Sequence, residues 1–283
     1  MAEYREVSLD IPASSIDALV LPLTLLTLTY LSANIYYWDK PFQEDFQKLL
    51  VIITNAFGIF PAIVADGLFL KLCVLGAMIT SFWAHINWEG FNVPGFEDEP
   101  GKWDNIFSVA VIIAYCCTFL PDRWFASAPL PAKRIPRWEK NLFYEQDYTN
   151  TCSCPLNYKT LTSVLITLAA ALTIAFTYDD NPVVFHIGTD FHIGDIICIL
   201  FAILAVIFGL VYVCNQSDHL ESKPRFVIFI MIGIVLAVYA IVSKKIGETS
   251  DLPEAVHSIW HVCIFGAAYC ISRAHSYIKR LKI

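Results

Sequence analysis

Three histidines carry the chemistry that this sequence suggests. His257 and His261 stand four residues apart in Glu254-Ala-Val-His-Ser-Ile-Trp-His-Val-Cys-Ile-Phe-Gly-Ala-Ala-Tyr-Cys270, at the head of an apolar run. On a helix they share one face, one turn apart. Neutral imidazole is the commonest metal ligand, and a His pair at this spacing lets one helix offer two nitrogens to one Zn²⁺. A third ligand is available in His85, which closes another apolar run with Ser81 four residues before it. Asp104 opens the run after that. Three imidazoles leave a tetrahedral Zn²⁺ one open position, as a catalytic site requires. Water held there ionises near neutral pH while the metal polarises a carbonyl. Asp104 would then orient the water or carry its proton as general base, and Ser81 would hydrogen-bond the carboxylate, the water or the oxyanion.

The elements that must position these residues are hydrophobic spans. With 57% hydrophobic and 16% charged residues, the chain is too apolar for an ordinary soluble domain, in which about a quarter of residues are charged. It reads as an all-α, polytopic membrane bundle. Eight runs are expected to be helical: about 16–38, 48–65, 68–88, 103–120, 158–178, 194–214, 225–243 and 255–272. The first contains Pro22 and several Thr, and the alternative for it is a helix lying in the interface. Asp66-Gly67 marks a tight turn between the second and third. Residues 1–46 comprise a tail, an extra span and a link. Residues 47–275 form the core with a long hydrophilic loop at 121–157, and 276–283 a basic tail that continues from Arg273.

Met1 to Ser15 lacks the basic and short apolar regions of a cleaved signal, so targeting is expected to fall to the first span. Most cysteines lie inside apolar runs and behave as small hydrophobes rather than as a disulfide framework. Cys152-Ser-Cys154 lacks a second ligand pair and reads as loop. His186, His192, His219 and His275 read as hydrated interfacial residues. No basic cluster interleaved with aromatics points to nucleic acid.

Assigning alternate links to opposite sides gathers Arg5, the Arg123–Lys140 loop, Lys159, Lys223, Arg225 and the basic tail on one side, with most acidic link residues on the other. The positive-inside rule makes the basic side, with both termini, cytosolic. The assignment uses no histidine. It nevertheless brings His85, Asp104, His257 and His261 to one leaflet.

Ser81-x-x-x-His85 late in one span, Asp104 opening the next and His257-Ser-Ile-Trp-His261 opening the last resemble the CREST superfamily of membrane metal-dependent hydrolases. The nearest likeness is to its transmembrane protein 8 and myomaker branch, whose first span is also similar to Asn55-Ala-Phe-Gly-Ile-Phe-Pro61. The resemblance runs from about Lys48 to Ser272. It implies a seven-helix core plus one extra N-terminal span, Zn²⁺ held by His85, His257 and His261, a polar site completed by Asp104 and Ser81, and hydrolysis of an amide or ester bond in a membrane lipid. The extra span, the 121–157 loop and a tail without cysteines depart from that branch. The alternative is a non-enzymatic protein, acting in membrane remodelling or fusion or as a structural subunit, whose metal pins the eighth span to the third.

Overall fold

The computed structural model describes residues 13–37, 44–65, 67–88, 100–120, 158–177, 183–186, 190–215, 222–247 and 253–277. Helices form where the hydrophobic runs predict them: α1 (Ala13–Tyr37), α2 (Glu44–Thr54), α3 (Ile59–Val64), α4 (Leu68–Trp88), α5 (Pro100–Thr118), α6 (Tyr158–Thr177), α7 (Ile193–Asn215), α8 (Lys223–Gly247) and α9 (Pro253–His275). The acidic link at 89–99, the 121–157 loop and the end of the basic tail lie outside the described residues.

The protein is a multi-pass helical membrane protein. Among the described residues, five helical stretches are long and apolar enough to cross a bilayer: Ile16–Ala33, Phe46–Val64, Leu68–Ile86, Lys223–Ser243 and Ala255–His275. Helices α6 and α7 hold shorter apolar stretches. Helix α5, expected as a span, falls short because it opens on Lys102-Trp-Asp-Asn105. It packs against α4, α6, α7 and α9, and a helix enclosed by others need not offer lipid an apolar face.

Two local features depart from the sequence reading. The 48–65 run is not one regular helix: a 3₁₀ turn over Asn55–Gly58 joins α2 to α3. Pro61 is the cause, since it has no N–H for the carbonyl of Phe57 and its ring crowds that carbonyl. The link between α6 and α7 also contains an antiparallel hairpin, β1 (Val183–His186) with β2 (Asp190–His192), pairing Val183 with His192 and His186 with Asp190. The fold class remains all-α. Gly67 has φ +83°, a left-handed conformation that favours glycine, and so supports the turn between α3 and α4.

Helix α9 is the interior element. Of the stretch 255–275, 78% is buried inside the protein, against 33% of 223–243 on α8, although α8 is the more apolar of the two. Small residues on α9 make this placement feasible: Ala255, Ser258, Cys263, Ala267, Ala268, Cys270, Ser272 and Ala274 are all buried. Small side chains let neighbouring backbones approach closely where lipid provides no hydrophobic drive for helices to associate.

The first span is a full member of the bundle. Val20, Thr24, Leu28 and Leu31 form a buried stripe at helical spacing, while Leu19, Leu23, Leu25, Leu26 and Tyr30 are exposed. An interfacial helix would need a polar outer face, and this one is apolar. An ion pair between buried Arg273 and half-buried Asp17 fixes its register. Arg273 donates from Nε to Asp17 Oδ1 at 2.7 Å and from Nη2 to Oδ2 at 2.8 Å, and Tyr269 Oη donates to Oδ1 at 2.5 Å. The guanidinium also lies 5.7 Å from the Phe229 ring centroid and 5.5 Å from that of Tyr277. Arg273, counted in the sequence among the residues of the basic tail, is thus 7% exposed and part of the bundle. At the same end of α9, Tyr115 Oη and Ser272 Oγ share a 2.7 Å hydrogen bond that joins α5 to α9.

Removing one partner of a buried, hydrogen-bonded ion pair strands the other. Asp17→Ala should therefore destabilise the detergent-solubilised protein by about 3 kcal/mol or more, whereas Asp17→Ala with Arg273→Met should recover much of the loss. Thermal unfolding of the three variants beside wild type checks this.

Candidate metal centre

His85 lies in the last turn of α4, and His257 and His261 lie in the first turns of α9. Their rings meet inside the protein. The centroids are 4.7 Å apart for His85 and His257, 4.9 Å for His85 and His261, and 4.7 Å for His257 and His261, with interplanar angles of 67°, 66° and 87°. The rings thus stand edge to face around one point. One nitrogen from each lies within 4.8 Å of the others, and the group could hold a metal ion. His85 and His261 are 3% and 2% exposed, and His257 is half-buried.

The donor chemistry fits a divalent cation. Zn–N bonds of about 2.0–2.1 Å in a tetrahedron place nitrogens about 3.3 Å apart, which small side-chain rotations would reach from this starting arrangement. The grouping consists of histidines alone.

The surroundings of His261 determine which nitrogen is offered. Its Nδ1 lies 3.2 Å from the carbonyl oxygen of Val51 and 3.2 Å from Thr54 Oγ1. A carbonyl only accepts, so Nδ1 carries the proton and Nε2 carries the lone pair. A backbone carbonyl on the far nitrogen is the usual device that orients a metal-binding imidazole and raises its basicity. Ser81 Oγ lies 3.2 Å from Nε2 and donates to its lone pair; a cation bound at Nε2 would take that lone pair and leave the hydroxyl free to turn. Ser81, 5% exposed, thus meets the ring of one of the three histidines.

Val51 and Thr54 belong to α2, a helix in which the sequence reading identified no site residue. Thr54 Oγ1 also lies 2.9 Å from the carbonyl of Leu50 and 3.0 Å from that of Val51, both within its own helix. Asn55 Nδ2 donates to the Val51 carbonyl at 3.0 Å. The signal was present in the sequence as Thr54-Asn55, two adjacent polar residues within an apolar run and shortly before a proline. The break at Asn55–Gly58 also makes room for close packing. A Cβ on Gly58 would come within 2.8 Å of Met78 on α4 and 3.0 Å of Phe265 on α9, so glycine allows the three helices to converge beside the histidines.

Asp104 is the fifth residue of α5 and is half-buried. The packing that seats Gly76 of α4 against the Phe107 ring, and Cys73 and Val74 in one cluster with Ala110 and Ala114, is antiparallel. At 1.5 Å rise per residue this register brings Asp104 about level with Thr80 and Ser81. Of the histidines read as hydrated, His275 is half-buried with its ring 6.1 Å from that of Phe119, His186 and His192 lie on the hairpin, and His219 lies outside the described residues. Cys152 and Cys154 also lie outside them. Cys73, Cys116, Cys117, Cys214, Cys263 and Cys270 are free thiols.

No protein-family model, curated protein or solved structure matches this chain.

Loss of a group that orients a metal-binding imidazole weakens metal binding by about 10–100-fold. Thr54→Val leaves the Val51 carbonyl in place, so its effect should fall at the low end, near tenfold. Competition with a chromophoric Zn²⁺ chelator in detergent measures it, with Thr29→Val as the control for loss of an exposed hydroxyl bonded within its own helix.

Proposed function

We propose that this protein is an intramembrane hydrolase that cleaves an amide or ester bond of a membrane lipid, using Zn²⁺ held by His85, His257 and His261. The observation that carries the reading is the convergence of three imidazoles from two helices on one buried point. A donor set of three histidines leaves the fourth tetrahedral position to water or substrate, whereas closed structural zinc sites are mostly built with cysteine thiolates. When bound, the cation supplies a Lewis acid for the substrate carbonyl and lowers the pKa of a water at that position.

The chain's own residues supply the remaining functions. The Val51 carbonyl and Thr54 hold His261 with Nε2 inward. Ser81 places a hydroxyl beside that nitrogen, within reach of an oxyanion developing there. Asp104 serves as general base, its carboxylate carried on the helix packed along α4 at the level of Ser81. The distribution of Lys and Arg assigns the site to the non-cytosolic leaflet, so the substrate is drawn from that leaflet.

The same contacts support a second, non-enzymatic reading. His261 already touches α2 and α4, and a cation shared with His85 would clip α2, α4 and α9 together. Metal analysis with lipid turnover separates the two. Under the hydrolase reading, wild-type protein carries stoichiometric Zn²⁺ and releases fatty acid from a membrane lipid, and His257→Ala and Asp104→Asn reduce release to background, the latter with its metal retained. Absence of metal, or unchanged release by His257→Ala, rejects it. Metal whose removal lowers the melting temperature without any turnover in wild type establishes the clip.

A further inference from the structure

Helices α5 and α9 run in the same direction, since each is antiparallel to α4. Cys73 and Val74 of α4 cluster with Ala110, Ala114 and Ala268, Gly76 meets Phe107, and His85 further along reaches His257 and His261. The two helices meet away from the histidines, where Tyr115 Oη and Ser272 Oγ are 2.7 Å apart. Beside this contact, Phe119 of α5 stands edge to face with Phe226 of α8, the centroids 6.4 Å apart. Steps of seven and eleven residues return a helix to within about 20° of the same face. Ser108 is seven residues before Tyr115 and eleven before Phe119, and Asp104 is eleven before Tyr115. On α9, His261 is eleven before Ser272, and His257 is eleven before Ala268. The α5 face that carries Asp104 and Ser108 therefore looks onto the α9 face that carries the histidines. By helical rise, Asp104 and His261 share one level about 16 Å from the Tyr115–Ser272 bond, with Ser108 about 6 Å closer to it.

The other sides of α5 are taken. Ile106, Val109, Ile113 and Cys117 pack in one cluster with Ile174 of α6, and Phe107 meets α4. Tyr115 and Phe119, 4% and 1% exposed, are covered, whereas Asp104 and Ser108 on the same face are half-buried, as are His257 and Ile264 across from them. The facing helices thus close at one end and stand open at the histidine level. Hydroxyls on apolar helices commonly bond the carbonyl four residues back, as Thr29, Thr54, Thr80 and Thr173 do. Ser108 makes no hydrogen bond among the described residues, and its oxygen is not enclosed, so it faces this opening.

We propose that Ser108 is a specificity-determining residue whose hydroxyl pairs with a hydroxyl of the lipid bound between α5 and α9, a few carbons from the bond that is cleaved. This inference rests on the hydrolase reading for the reaction and adds the class of lipid to it. The preferred substrate carries a hydroxyl about 6 Å from the scissile carbonyl, on the side towards the middle of the two helices. The bilayer interior offers no water to either hydroxyl, so each is best satisfied by the other. A site built to hydrogen-bond a substrate hydroxyl discriminates against the analogue that lacks it.

The probes are long-chain N-alkyl acylamides of equal length: one plain, one with a hydroxyl a few carbons along the acyl chain, and one with it at the matching place on the N-alkyl chain. Binding to the Zn²⁺-loaded full chain in detergent is measured beside turnover. Wild type is expected to bind one hydroxylated probe about tenfold more tightly than the plain one, and which of the two it prefers tells which chain lies along α5. Ser108→Ala is expected to bind all three alike while keeping its Zn²⁺ and melting temperature, and Ser108→Thr, which retains the hydroxyl, to keep the preference. Equal binding of the three probes by wild type overturns the inference even if all are hydrolysed, and this outcome needs no variant to fold. A preference that survives in Ser108→Ala overturns it too. So does loss of Zn²⁺ or of thermal stability in that variant, since Ser108 would then serve the histidines or the packing rather than the lipid. A preference in binding without hydrolysis of any probe upholds the Ser108 contact and removes the hydrolase reading instead.

Discussion

Helix α9 can occupy the interior because its buried polar groups are matched at both ends. At one end Arg273, Asp17, Tyr269, Tyr115 and Ser272 form a paired cluster, and at the other His261 is held by Val51, Thr54 and Ser81. Twelve residues separate Arg273 from His261, roughly 18 Å along the axis, so the two clusters lie near opposite ends of a bilayer-crossing helix. Between them the helix presents mostly small and apolar residues. Charged and polar groups are costly inside a membrane, and those that persist face the bundle interior and each other. Register between α1, α8 and α9 follows from one end, and register between α2, α4 and α9 from the other.

This arrangement gives the histidine cluster rigid walls. His257 and His261 are one turn apart on an enclosed helix, and His85 arrives from α4 at the same depth. The imidazoles are preorganised by packing that exists before any cation or lipid binds, so little reorganisation is needed when one does. The 3₁₀ break in the α2–α3 segment contributes directly. Proline weakens the helix there, and the polar side chains of Thr54 and Asn55 meet the Val51 carbonyl beside the His261 ring. A local imperfection in one span thus becomes an orienting surface for a residue in another.

Asp17 and Arg273 also explain why the first span belongs with the rest. A single apolar helix gains little in lipid from sitting beside another, so a bidentate ion pair and the small contact face of α9 hold it in place. The Ser32–Tyr239 hydrogen bond of 3.1 Å ties α1 to α8 further along its length. The extra span is joined to the helix that carries two of the three histidines.

Much of this was legible in the sequence. Hydrophobic run length placed the helices to within a few residues, because a bilayer imposes length and apolarity locally. The four-residue spacings of Ser81 with His85 and of His257 with His261 assigned shared faces, because 3.6 residues per turn is a property of the backbone alone. Alternation of spans brought the histidines to one leaflet. What only the tertiary structure decided is which polar groups in other spans meet them. Nothing local in the sequence says what Thr54 or Asp17 will meet. Their partners lie some two hundred residues away, and the pairing exists only once helices pack side by side, where an unmatched polar group in a medium without water would be too costly to leave alone.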